Sequence, residues 1–103
     1  MRHLGAIEFV ELDDVHAIRG ADDYAELLMA GGARRLHEKT LAELERLLPE
    51  WFLRTHRSWI VNLRHVQRAA SVPGGRARLA VGTVEVPVGR SYKSVVLRRL
   101  PSS

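Results

Sequence analysis

The chain has no cysteine, so neither a disulfide framework nor a thiolate metal site can be built from it. No apolar run approaches the roughly 18 residues that a membrane helix needs. The amino end, Met1 to Ala6, lacks the apolar core of a secretory signal, and a cytoplasmic protein is expected. The five histidines, at positions 3, 16, 37, 56 and 65, include no pair at helical i,i+4 spacing, so no metal-ligand cluster is visible. Gly31-Gly32 and Pro73-Gly74-Gly75 lack the lysine and the spacing of a phosphate-cradling loop. Ser58 stands too near His56 for a nucleophile–base pair, and no orienting carboxylate accompanies them. Asp13-Asp14 and Asp22-Asp23 are turn residues, because short carboxylates bond their own backbone there. The expectation is no enzyme, no cofactor, no membrane and no small-molecule substrate.

What remains is a chain of 103 residues, a length typical of one domain, with a 46% hydrophobic fraction that suffices for a core. Lysine is scarce: 14 arginines stand against 2 lysines, within a net charge of +4. Arginine's planar fork meets phosphates and guanine edges with paired hydrogen bonds that lysine cannot copy. GC-rich coding gives the same bias, so charge alone does not decide.

Alternation and turn residues divide the chain into short elements. Ala6 to Leu12 reads as a first strand and Val15 to Arg19 as a second, with turns at Asp13-Asp14 and at 20–23. Tyr24 to Met29 fits strand or helix, and Gly31-Gly32 after it favours a hairpin into 33–37. Thr40 to Leu48 is the clearest helix: Thr40 and Glu43 form a capping box, and Leu41, Leu44 and either Leu47 or Leu48 make one stripe. Pro49 ends it. Three more strands are expected at Val66 to Val72, Arg76 to Val81 and Thr83 to Val88, with Pro87 implying an edge or a strand end. Arg76 and Arg78 alternate onto one face. A closing helix opens at Gly89-Arg90-Ser91-Tyr92 and runs to about Leu100, with Tyr92, Val96 and Leu100 on one stripe.

The most informative stretch is Phe52 to Leu63. An apolar frame (Trp51, Phe52, Leu53, then Trp59, Ile60, Val61) encloses the polar run Arg54-Thr55-His56-Arg57-Ser58. Buried strands do not hold five such residues in succession unless several point outward. A hairpin or strand junction presented to an anionic partner follows. Arg57-Ser58 and Arg90-Ser91 each fall where an element breaks or begins, and Lys93 shares a face with Arg90. A helix start supplies amide donors as well, so Arg90, Ser91 and Lys93 suit a phosphate.

Several segments together resemble the LytTR-type DNA-binding domain of bacterial transcription regulators. They are Asp13-Asp14-Val15, Asp23-Tyr24, Lys39-Thr40-Leu41 with Leu44 and Leu48, Phe52 through Asn62, and Val86 through Tyr92. The resemblance covers nearly the whole chain, and residues 1–103, with a core of about 6–100, are read as one such domain. It implies a mostly β fold of elongated antiparallel sheets with two short helices, acting as a response-regulator output domain in two-component signalling. It also implies loops that enter successive major grooves of double-stranded DNA, with two copies on tandem half-sites. Carried over residue by residue, the loop at Asp23 and Tyr24, Arg57 and Arg90 would meet bases. Ser58 and Lys93 would meet phosphates, and His56 and Asn62 would be internal supports.

The chain departs from the family pattern at Thr55, usually aliphatic, at Trp59, usually a smaller aromatic, and at Gly89, often serine. Asp22-Asp23 also puts acid where a loop meets DNA, so that loop either contributes less or selects a base through cytosine's amino group. No receiver domain precedes the module, so the chain reads as an excised output domain or a stand-alone regulator. The alternative function is a protein-interaction domain that keeps the fold and turns its basic face to an acidic partner. RNA binding is disfavoured, since Trp51, Trp59 and Tyr92 look buried rather than exposed for stacking.

Overall fold

A computed structural model describes residues 11–72, 74 and 76–100. The expected strand at Ala6 to Leu12 falls almost wholly outside these, and its last residue opens a 3-10 turn, Leu12–Asp14. Eight strands follow: β1 (Val15–Ala21), β2 (Tyr24–Met29), β3 (Arg34–His37), β4 (Phe52–His56), β5 (Trp59–Asn62), β6 (Val66–Val72), β7 (Arg76–Val81) and β8 (Val84–Val88). Two helices, α1 (Leu41–Leu47) and α2 (Lys93–Arg99), complete the set. The strands form two antiparallel sheets, ordered β3-β2-β1-β5-β4 and β6-β7-β8, in a body of 49 × 25 × 22 Å. The mostly β architecture with two short helices is thus as expected.

Local chemistry explains most of the boundaries. Thr40 caps α1: its Oγ1 accepts from the Glu43 amide at 3.3 Å, while its own amide donates to Glu43 Oε1 at 2.8 Å. Those bonds from Thr40 hold the Glu43 carboxyl below the usual carboxylate range. Of the two candidates for the third stripe position, Leu48 packs on the core and Leu47 is 66% exposed. Gly31 and Gly32, with φ of 77° and 86°, make the turn between β2 and β3 that other residues would strain to adopt.

The larger sheet carries apolar side chains on both faces, so it needs two covers. Against one face α1 sets Leu41 and Leu44 over Val15, Ile18, Leu27, Phe52 and Ile60. A second cluster joins Ala17, Leu28 and Val61 to Leu79, Val81, Val86 and Val88 of the small sheet and Val96 of α2. Tyr92 and Leu100 pack partly against this second cluster, on the expected stripe with Val96. Pro87 costs no ladder bond, because β8 is an edge strand.

Among the described residues two polar side chains are buried, Asn62 within the larger sheet and Thr55 between the two sheets. Asn62 donates from Nδ2 to the carbonyls of Val15 (3.0 Å) and Leu12 (3.4 Å), and its Oδ1 accepts from the Arg64 amide at 2.9 Å. Thr55 donates from Oγ1 to the Pro87 carbonyl at 3.4 Å, which gives the hydroxyl a use where an aliphatic residue is customary. Nearby, the ring of His16 on β1 lies beside that of His65, with centroids 4.3 Å apart. Gly82 turns β7 into β8 at φ 59° directly against His16, where a Cβ would stand 2.1 Å from Nδ1. Any larger residue there would have to push the His16 ring aside.

Candidate nucleic-acid interface

The polar run between Phe52 and Leu63 becomes the β4–β5 hairpin, with Arg57 and Ser58 as its two-residue turn. Short hairpin turns usually require positive φ at their centre. No described non-glycine residue has it, so this turn is held by side chains instead. Arg54 folds back beneath the turn, donating from Nε to the His56 carbonyl at 2.9 Å and from one terminal nitrogen to the Arg57 carbonyl at 2.6 Å. Its other terminal nitrogen meets Glu45 of α1 at 2.8 Å. The Ser58 amide donates to His56 Nδ1 at 3.0 Å, which requires a lone pair on that nitrogen. Arg54, which composition alone would turn outward, is 16% exposed and serves as the turn's internal brace.

The same brace leaves Arg57 exposed at the tip and Ser58 half-buried beside it. Two backbone bonds then bring the other expected loops to this hairpin. On one side Gly20 donates to the Ser58 carbonyl at 2.8 Å, which sets the Asp22-Asp23 turn of β1–β2 next to Arg57-Ser58. On the other side Gly89 donates to the Thr55 carbonyl at 2.8 Å, which fixes the start of the Arg90 segment beside β4. Asp23 is exposed, and Tyr24 is 44% exposed at the head of β2. An open cleft of about 290 Å³ runs between the two turns, lined by Asp22, Tyr24, Thr40, Arg57 and Ser58 among others.

The Arg90 segment differs from the continuous helix that its sequence suggests. Arg90–Tyr92 is a 3-10 turn, and α2 starts only at Lys93. The Tyr92 amide already donates to the Gly89 carbonyl and that of Lys93 to the Arg90 carbonyl, so these two amides are not open to a phosphate. The side chains keep the expected relation, because residues i and i+3 of a 3-10 turn lie in line. Arg90 and Ser91 are exposed and Lys93 is half-buried. Gly89 sits tightly: a Cβ there would lie 3.2 Å from the Tyr92 ring and 3.6 Å from that of His56. The customary serine would have to displace one of these rings slightly.

Asp23, Tyr24, Arg57, Ser58, Arg90 and Lys93 are therefore carried by three segments that two backbone bonds stitch together. His56 and Asn62 lie inward, each bonded to backbone. Trp51, Trp59 and Tyr92 are half-buried rather than fully buried, because each also covers a cluster edge. The Trp51 ring carries the Arg64 guanidinium 3.9 Å from its centroid, and Arg64 pairs with Asp13 at 3.1 Å. Among the described residues no group of three potential metal ligands gathers, and no helix is long and apolar enough to cross a membrane.

Comparison with known proteins bears on the family and the fold. The family model described as the LytTr DNA-binding domain matches residues 5–100. A solved structure of a LytTr DNA-binding domain from Bacillus cereus is similar at 28% identity and a TM-score of 0.79, covering 86% of this chain and 83% of that one. A search of curated proteins finds no match.

Proposed function

The chain belongs to the LytTr DNA-binding domain family, a family of DNA binders and not of enzymes, and from that premise we propose how it reads its target. It binds double-stranded DNA sequence-specifically to regulate bacterial transcription, as the cytoplasmic output domain of a two-component response regulator formed by residues 1–103. Its loops enter successive major grooves, and two copies occupy tandem half-sites.

The observation that carries this reading is the stitching of three turns at one hairpin, through Gly20 to Ser58 and Gly89 to Thr55. A rigid base for exposed loops is what groove readout demands, because an arginine discriminates among bases only when its fork is aimed. Arg57 and Arg90 read guanine edges, and the Asp23-Tyr24 loop reads beside Arg57. Ser58 and Lys93 take phosphates and fix the register without reading sequence. His56 and Asn62 support the loops from inside.

Selection of bound duplexes from a random pool, followed by anisotropy titration at two salt concentrations, tests it. A recovered repeat whose affinity falls steeply with salt is the expected outcome. Binding without an enriched motif would refute sequence reading and leave the interaction of the basic face with an acidic protein to be tried. Lys93→Ala weakens all duplexes alike, whereas Arg90→Ala relaxes preference at one base pair. An effect of Lys93→Ala confined to one sequence would contradict that division.

A further inference from the structure

The small sheet holds a second basic surface that the three loops do not use. Along β7, Arg76 and Arg78 point to the face opposite the buried Leu79 and Val81, as strand alternation requires. The β6–β7 register sets Arg68 directly opposite Ala80 and Ala70 opposite Arg78, so Arg68 belongs to that outer face too. Arg76, Arg78 and Arg68 thus form a ladder with steps of about 7 Å, from the strand repeat and the diagonal spacing of paired strands.

All three arginines are exposed. Among the described residues one carboxylate shares their face: Glu85, opposite Ala80, lies 4.0 Å from Arg78 in a solvated pair that neutralises little. Among the described residues Arg68 and Arg76 have no carboxylate partner. The ladder has no structural task, since the core side of this sheet is formed by Leu79, Val81, Val86 and Val88.

Its position gives it a purpose. Ala77 pairs with Val88, so Arg76 lies at the end of β7 alongside the β8 terminus that leads through Gly89 into Arg90. The ladder begins where the proposed reading surface ends and runs away from it. We infer that Arg76, Arg78 and Arg68 form a backbone-contact site that grips the phosphates of the same duplex beyond the base pairs read by the loops. This inference rests on the reading under Proposed function. Its ligand is the phosphodiester backbone, without regard to sequence, which is what arginines on a flat, grooveless strand face can recognise. Each phosphate neutralised by such a residue releases counterions and steepens the salt dependence.

The test uses the duplex recovered by selection in two forms, one trimmed to the enriched site and one with a helical turn of flanking sequence on each side. The protein is compared with the triple variant Arg68→Gln, Arg76→Gln, Arg78→Gln, which keeps strand-compatible side chains, and with Arg76→Gln alone in case the triple variant folds poorly. On the long duplex, the slope of log affinity against log salt becomes shallower by roughly 0.9 for each arginine lost, while the selected sequence is unchanged. On the trimmed duplex the variants and the parent coincide. Unchanged slope and affinity on the long duplex, with Arg57→Ala still relaxing preference at its one base pair, would overturn the ladder and leave the reading intact. Equal losses on both lengths would overturn its flanking placement. If the parent enriches no sequence, the ladder falls together with the reading.

Discussion

At the scale of single residues, the hairpin contains two arginines with opposite tasks three positions apart. Arg54 spends its guanidinium on the carbonyls of His56 and Arg57 and on Glu45, while Arg57 is exposed above it. Hydrogen bonds from a charged donor contribute about 1.5–3 kcal/mol each where they are shielded. Arg54→Ala therefore lowers stability by about 2–3 kcal/mol, and Arg57→Ala by no more than about 0.5 kcal/mol, as checked by urea unfolding. Equal losses would mean that the turn does not depend on the brace. Arg54 was not legible as a brace, because its partners lie across a bulge between Arg54 and His56 that composition does not reveal. Asn62 is a similar case. Its bonds to Leu12 and Val15 cross about 50 positions in sequence, as their separations of 50 and 47 show. The resemblance implies a support there, and Asn62 is buried and bonded to both carbonyls.

At the scale of elements, the sequence was most readable where the determinants are local. The capping box of Thr40 and Glu43, the glycine pair after β2 and the alternation of β7 and β8 all depend on neighbours within a few residues. The start of α2 is not legible in the sequence for a tertiary reason: Gly89 is tied to Thr55, and the chain passes through the 3-10 turn Arg90–Tyr92 before α2 begins. The junction of the two sheets was equally hidden. There His16 is packed against His65 and Gly82, with Asp14 also near, and the His65 ring reaches the Asp13 carbonyl while Asp13 pairs with Arg64. Burial first, and the neighbouring His65 second, hold the His16 pKa below its ordinary 6.5, against a smaller opposing pull from Asp14. The unfolded chain therefore takes up a proton before the folded one as pH falls. This contribution to stability is complete above about pH 6.5 and is lost below it. The urea midpoint rises as pH increases through about 6.5, and His16→Gln reduces that rise. A rise of the same size in His16→Gln would show that the junction does not titrate through this ring.

At the scale of the whole molecule, two covers over one sheet produce a body of 49 × 25 × 22 Å, with three turns gathered at the β4–β5 hairpin. The sequence named the residues of those turns without the means of joining them, because Gly20 and Ser58 are distant in the chain, as are Thr55 and Gly89. The gathered surface is proposed to read bases rather than merely attract phosphate. The most direct measurement is the base-by-base preference profile of Arg57→Ala beside that of the parent, on the selected site and all its single substitutions. The expected result is loss of about 1–3 kcal/mol of discrimination at one base pair in each half-site, with the other positions unchanged. A loss spread evenly over every position would contradict it and make Arg57 one more phosphate contact.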